Sequence, residues 1–323
     1  MAYKVLIPQD IVDEGKAYLR ERGYEIKMGS GITVEAIKRD AADCDAILAR
    51  TAPFPAEVLE AAPKLKVIAR HGVGVDNVDV AAAERLGIWV TNAPLSNSNT
   101  VAEAVIGYII ALGRQFTYVE REFRKGNFEI RNKVRLMDLE GKLLGIVGLG
   151  KIGRLVAAKA RLGLGMKILG YDPFVAADQA PEGVEMTASW EEIFSRPDFV
   201  TLHLPYQGKK LVGMKEFSLM KPTAYFINAA RGEIVHENEL IDALRQKRIA
   251  GAALDVFEKE PPDKDNPLLA MENVIVTPHN AALTRECSVR MAVHAAIGID
   301  EVLTGKTPSW PVNRPPQPRN FAS

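Results

Sequence analysis

The feature that most limits what this chain can become is a repeated alternation of short apolar runs with longer stretches of helical character. The runs lie at residues 5–8, 46–49, 66–69, 89–91, 144–147, 167–171, 199–204, 224–228, 252–256 and 274–277. Most lack the regular polar–apolar alternation of a strand with one wet face, so they read as strands covered by helices on both sides. Strands alternating with helices in this way predict an α/β fold with doubly wound parallel sheets. A length of 323 residues favours two domains rather than one. Lys+Arg and Asp+Glu both number 41, leaving no charge excess to hold a polyanion. Neither nucleic acid nor a membrane is therefore expected as a partner.

Cys44 and Cys287 stand far apart without metal-ligand spacing, so no disulfide framework and no metal site is expected. A reducing cytoplasm fits that usage. The most apolar helical stretch, 104–113, is about half the ~20 residues of a membrane span. The N-terminus lacks the pattern of a signal peptide and reads as the first strand of the fold. A long helix is expected from Thr100, with Thr100 and Glu103 as a capping box and the charged stretch 120–126 at its end. It reads either as an interdomain or subunit contact or as a buried core helix. The proline-rich stretch 307–318 is expected to be an extended tail.

The sharpest local signal is Gly148-Leu149-Gly150-Lys151-Ile152-Gly153, placed between an apolar run and a helical one. In G-x-G-x-x-G the first glycine makes the tight turn and the second lets a pyrophosphate approach the backbone. The third allows close packing of helix on strand. Asp172, 19 residues beyond Gly153, stands near the ~20 expected of an acid that binds a ribose 2′-hydroxyl. Its charge would repel a 2′-phosphate, which favours NAD over NADP. A turn or helix cap is the alternative role for Asp172.

Three other runs lead into polar residues: 224–230 into Arg231, 252–257 into Glu258 and Glu260, and 274–278 into His279. Ligands of open α/β sheets bind beyond the carboxyl ends of the strands, so all three can face a cofactor. An imidazole with an ordinary pKa of about 6.5 can give or take a proton near neutrality. A carboxylate beside it would orient the ring, and a guanidinium would pair with a substrate carboxylate. Composition alone does not select His279 over His71, His203, His236 or His294.

Taken together, these motifs resemble the D-isomer-specific 2-hydroxyacid dehydrogenase family over almost the whole chain. Further residues carry the resemblance: Arg70-His71-Gly72-Val73-Gly74-Val75-Asp76-Asn77, Thr100-Val101-Ala102-Glu103, Ile227-Asn228-Ala229-Ala230-Arg231-Gly232, Ala253-Leu254-Asp255-Val256-Phe257 and Thr277-Pro278-His279. The branches most resembled are those of phosphoglycerate and glyoxylate/hydroxypyruvate. The resemblance implies a flavodoxin-like substrate-binding domain from residues 1–98 and 285–323. An NAD-binding Rossmann domain, 99–284, is inserted between them, and the implied assembly is a homodimer.

The implied reaction is hydride transfer between the nicotinamide of NAD and a small D-2-hydroxy or 2-oxo acid of the 3-phosphoglycerate, glycerate/hydroxypyruvate or glyoxylate type. In it His279 is the acid/base, Glu260 rather than Glu258 its partner, and Arg231 the substrate anchor. Backbone N–H groups around Val73 and Gly74 form a second clamp on the substrate. Gly148, Gly150, Lys151, Ile152 and Gly153 hold the pyrophosphate, Asp172 the ribose, and Ala229 and Asp255 lie near the nicotinamide. His71 is read as structural. The alternatives are a non-catalytic NAD-sensing interaction protein on the same scaffold, or a sulfolactate- or phosphite-type dehydrogenase. Asn280-Ala281-Ala282 after His279, and Leu204 before Pro205, depart from the family pattern and leave the substrate open. Arg50, Arg131 and Arg135 are candidates for binding a second anionic group, Arg50 foremost because it follows a strand.

Overall fold

The computed structural model describes residues 2–319, which divide into two compact units, one from both chain ends (up to 97 and from 283) and one from 98–282. The first unit holds β1 (Lys4–Ile7), β2 (Glu25–Met28), β3 (Ala46–Ala49), β4 (Val67–Arg70) and β5 (Trp89–Thr91). They form one parallel sheet in the order β2-β1-β3-β4-β5. That is the flavodoxin-like order. Side chains alternate across it. Leu6, Ile47, Ile68 and Val90 pack into one buried cluster with Phe54 and Leu59. Val5, Ile7, Leu48 and Val67 pack into another with the helix Arg285–Leu303.

The second unit holds β6 (Leu143–Val147), β7 (Lys167–Tyr171), β8 (Val184–Met186), β9 (Phe199–Leu202), β10 (Tyr225–Asn228), β11 (Gly251–Leu254) and β12 (Val274–Val276). All are parallel, in the order β12-β11-β10-β9-β6-β7-β8. The order reverses between β6 and β9, the topological switch point of a Rossmann sheet. Gly148 and Gly150 follow β6 at that point. Two buried clusters cover its faces, one of them built on the helices Ser98–Gly113 and Lys151–Leu164.

Two strands depart from the sequence reading, which gave none at β2 or β8. Both are edge strands, three or four residues long and partly open to solvent. An edge strand covered on one side needs no continuous apolar run.

The expected long helix also needs correction. It begins at Ser98, so Thr100 lies inside it, buried, and is not its N-cap. The Glu103 carboxylate accepts instead from Asn99 Nδ2 at 2.6 Å. The helix stops at Gly113, where a Cβ would come within 2.9 Å of Leu139 Cδ2, and Gln115 turns left-handed at φ 48°. A separate helix, Phe116–Arg124, then follows with no buried residue. Between the two readings of the first helix, its Val101, Ala102, Val105 and Ile109 belong to the core of the second unit.

The proline-rich tail is extended and lies along the open edge of β5. Val312 N donates to Val90 O at 2.8 Å. Asn313, buried, accepts from Val90 N at 2.7 Å and donates to Ile88 O at 2.9 Å. Prolines lack the donor that an edge needs, so an asparagine amide supplies part of the ladder and closes the edge. Substituting Asn313→Ala strands two buried backbone groups. It should destabilise the first unit by about 2 kcal/mol, read as a lower urea midpoint.

Candidate active site

Glycine geometry sets the turn after β6. Gly148 has φ +96° and a Cβ there would lie 2.5 Å from His203 O. At Gly153 a Cβ would lie 2.0 Å from Gly148 O, so only glycine lets the helix start seat on the strand end. Gly150, the N-cap of Lys151–Leu164, instead faces open space. The first N–H groups of a helix have no partner within it, and an anion meets them directly. Lys151 and Ile152 form its first turn.

Asp172 follows β7 and anchors the same turn. Its Oδ2 accepts from Leu149 N at 2.8 Å and its Oδ1 from Phe174 N at 2.9 Å. The capping role is thus real. It is compatible with the other role, because a carboxylate offers about four acceptor positions and two are used. A glycine cradle, the N–H groups of a helix start and an acid at the next strand end fit a dinucleotide.

Across the sheet, β10 ends in a turn closed by a residue that sequence reasoning did not single out. Asn228 is buried, accepts from Ala230 N at 3.0 Å and donates to Arg231 O at 2.9 Å. Gly232 then runs so close to Phe257 that a Cβ would lie 2.0 Å from its backbone carbon and oxygen. That approach brings the Arg231 turn against the segment leading to Glu260. Ala229 is half-buried in the same turn.

His279 sits in the left-handed region, φ 51°, which non-glycine residues seldom adopt. Its N–H donates to Asp255 O at 2.7 Å and Thr277 O at 3.0 Å. The Asp255 carboxylate, 1% exposed, holds the residues that follow: Oδ1 accepts from Asn280 N and Oδ2 from Ala281 N, each at 2.9 Å. His279 Nδ1 lies 2.7 Å from Glu260 Oε2, and Glu260 Oε1 accepts from Phe257 N at 3.2 Å. Both side chains remain partly open, 51% and 38% exposed. Glu258 is turned elsewhere, onto Lys210 Nζ at 2.5 Å.

The hydrogen bond and charge of Glu260 outweigh burial and Arg231, and raise the His279 pKa above its ordinary value. For Glu260, burial opposes ionisation, but the bond to His279, the Phe257 amide and the charge of Arg231 win and lower it. The two partners therefore favour the ionised pair in concert. Arg231 stands close enough for its charge to act on both.

In the other unit, the loop after β4 carries Val73 and Gly74. Asn92 Nδ2 donates to Val73 O and Ala93 N to Gly72 O, each at 2.8 Å. His71 is buried, and burial, with the charges of Arg50 and Arg70, pushes it down to about 4, so it is neutral near pH 7. Arg50 follows β3 and donates to Asp10 O at 2.7 Å. Arg131 and Arg135 are exposed, Arg131 over the Phe128 ring at 4.6 Å.

Residues 106–281 match the family model described as D-isomer specific 2-hydroxyacid dehydrogenase, NAD binding domain. The chain is 39% identical over 320 residues to the D-3-phosphoglycerate dehydrogenase of Methanocaldococcus jannaschii, covering 98% of this chain and 60% of that protein. It is 36% identical over 328 residues to the glyoxylate reductase of Korarchaeum cryptofilum, covering 97% of each. Among solved structures, the TT0316 protein of Thermus thermophilus superposes with a TM-score of 0.88 at 31% identity, over 96% of this chain and 100% of that one. The chain thus spans about three fifths of the archaeal phosphoglycerate dehydrogenases it matches.

Replacing Glu260 by Gln leaves a neutral partner that cannot stabilise an imidazolium. The His279 pKa, followed by NMR titration of its ring, should fall from its raised value towards about 6.5. An unchanged titration would dissociate the two residues.

Proposed function

Since the chain belongs to the D-isomer specific 2-hydroxyacid dehydrogenase family, we propose that it interconverts a small D-2-hydroxy acid and its 2-oxo acid with NAD. The observation that carries the reading is the 2.7 Å His279–Glu260 pair with Arg231 beside it. The nicotinamide, when bound, supplies or accepts the hydride. Glu260 takes up Nδ1 of His279, which leaves Nε2 as the nitrogen that gives a proton to the C2 oxygen of an oxo acid. The carbonyl π pair becomes the new O–H bond as that proton arrives, and the neutral imidazole recovers a proton from solvent. Arg231 pairs with the substrate carboxylate and polarises the adjacent carbonyl.

Asp172 is the acid for the adenosine ribose, and its charge favours NAD. Residues 148–153 hold the pyrophosphate on the helix N-terminus. Asp255 keeps one acceptor position on Oδ2 for the nicotinamide end of the cofactor, next to Ala229. Backbone N–H groups of Val73 and Gly74 serve substrate binding. Buried cysteines outside any disulfide, Cys44 and Cys287, support a cytoplasmic setting. No helix among the described residues is long and apolar enough to cross a membrane.

For the substrate, the reading is an acid of the glyoxylate, glycerate/hydroxypyruvate or 3-phosphoglycerate type. Arg50 is the group proposed for a second anion. It stands at the end of a central strand next to that of Arg70, and the charges of both act on His71. Arg131 and Arg135 lack such a setting. A homodimer is also proposed. The helix Phe116–Arg124 has no fully buried residue, and Phe116, Phe123, Phe128 and Leu136 are exposed along this helix and the segment after it. Apolar side chains left open over such a stretch mark a docking face.

His279→Ala should reduce NADH oxidation by about 10²–10⁴-fold while NADH still binds. In the wild type, reduction should fade as pH rises through the His279 pKa, because the protonated imidazole is the acid; near-normal turnover in the variant would remove His279 from the mechanism. Glyoxylate, hydroxypyruvate, pyruvate, phosphohydroxypyruvate and sulfopyruvate form the substrate panel. A preference for a doubly anionic member that disappears in Arg50→Ala would assign Arg50, and indifference would dismiss it. Phe123→Glu should convert a two-chain species into one-chain species by light scattering.

A further inference from the structure

The Asp255 carboxylate has a third donor besides the two amides. Thr277 Oγ1 donates to Asp255 Oδ1 at 2.6 Å. A hydroxyl has a single proton, so Thr277 is then an acceptor only for its remaining neighbour. That neighbour is Tyr108, whose hydroxyl lies 2.7 Å from Thr277 Oγ1 and 3.4 Å from Asp255 Oδ1. The direction of every proton follows: Tyr108 donates to Thr277, and Thr277 to Asp255. Burial pushes the Tyr108 hydroxyl up to about 12, which keeps it a donor at any working pH.

Tyr108 comes from the helix Ser98–Gly113, which packs on β10 and β11, and its ring lies against the buried cluster around that helix. Thr277 is the first residue after β12. Asp255 is the first after β11. The chain of hydroxyls therefore ties three elements together. What it ends on is the carboxylate that holds the amides of Asn280 and Ala281, beside an imidazole held at φ 51°.

We infer that Tyr108 is a positioning residue for His279, acting through the relay Tyr108–Thr277–Asp255. This rests on the proposed role of His279 as acid/base. Without the tyrosine proton, Thr277 Oγ1 can still donate to Asp255 but loses the neighbour that fixes the rotamer of its hydroxyl, so its bond to the carboxylate loosens. The segment 277–281 then relaxes from a conformation that is costly for a non-glycine residue, and the ring loses its register on Glu260. Binding of NADH, which rests chiefly on residues 148–153 and Asp172 in the proposed function and not on Tyr108 or Thr277, stays as it was.

The test uses the full chain as Tyr108→Phe, Tyr108→Met, Thr277→Val, Thr277→Ser and the double variant Tyr108→Phe/Thr277→Val. Two readouts are taken: hydrogen–deuterium exchange of the peptide covering 277–282, and kcat for 2-oxo acid reduction at saturating NADH. The NADH dissociation constant, from its fluorescence, is a control. Phe and Met both remove the hydroxyl but pack differently, so an effect shared by the two belongs to the hydroxyl. Exchange should quicken and kcat fall about tenfold in Y108F, Y108M and T277V, with NADH affinity unchanged. T277S should keep both wild-type values. The double variant should be no worse than T277V, because both changes break one relay. Wild-type exchange and wild-type kcat in Y108F would overturn the inference while leaving the proposed function intact. If the wild type reduces no acid in the panel, the proposed function fails, and the exchange data alone still decide whether Tyr108 holds the loop.

Discussion

The Asp255 carboxylate holds the arrangement together. It is buried and surrounded by donors: the amides of Asn280 and Ala281, and the hydroxyl of Thr277. Its own backbone carbonyl takes the His279 N–H. A buried carboxylate is stable when donors fill most of its acceptor positions, and losing a hydrogen bond to such a group costs about 1.5–3 kcal/mol. That energy keeps a histidine in the left-handed region, where the turn would otherwise relax. The strain is local, and the group that restrains it comes from the neighbouring strand.

Strand register explains why the participants meet. Asn228 lies beside Leu254 and Leu254 beside Val276, so β10, β11 and β12 end at one level. Parallel strands send their exits over the same edge of the sheet. Arg231 is three residues past its strand, Asp255 one, and His279 three. Glu260 travels further, and Gly232 draws the Arg231 turn onto the start of that excursion at Phe257. The switch point between β6 and β9 places the glycine turn over the same edge.

Electrostatics then divides the labour between two groups of ordinary chemistry. Glu260 and His279 each move the other towards its charged form, while Arg231 opposes the charge on His279 and supports that on Glu260. Because one ring nitrogen is committed to the carboxylate, the other keeps the exchangeable proton. Partial exposure keeps that proton in contact with solvent, and a fully buried pair would trade it too slowly or hold the charge too firmly. The same sheet edge thus sets a guanidinium beside a paired imidazole and carboxylate.

Much of this was legible before any coordinates, for a physical reason. Central strands buried on both faces need continuous apolar runs, so β3, β6 and β9 announce themselves. The spacing of Gly148, Gly150, Gly153 and Asp172 reports backbone requirements that few other residue types satisfy. Edge strands β2 and β8 lacked that pressure and were not visible. Thr100 and Glu103 carry the letters of a cap, but the helix begins two residues earlier, since packing of Val101 and Ala102 into the core decides its start. Tyr108 escaped notice, and Asn228 and Thr277 were named only as letters of longer motifs with no role assigned, for a related reason. A threonine at a strand end reads as a β-branched strand residue, and a tyrosine on an apolar helix reads as one more core side chain. Their hydroxyls matter only because a helix and a strand end, distant in sequence, bring them 2.7 Å apart. Spacing along a chain encodes the period of an element, and it carries no trace of which hydroxyl will end up facing which.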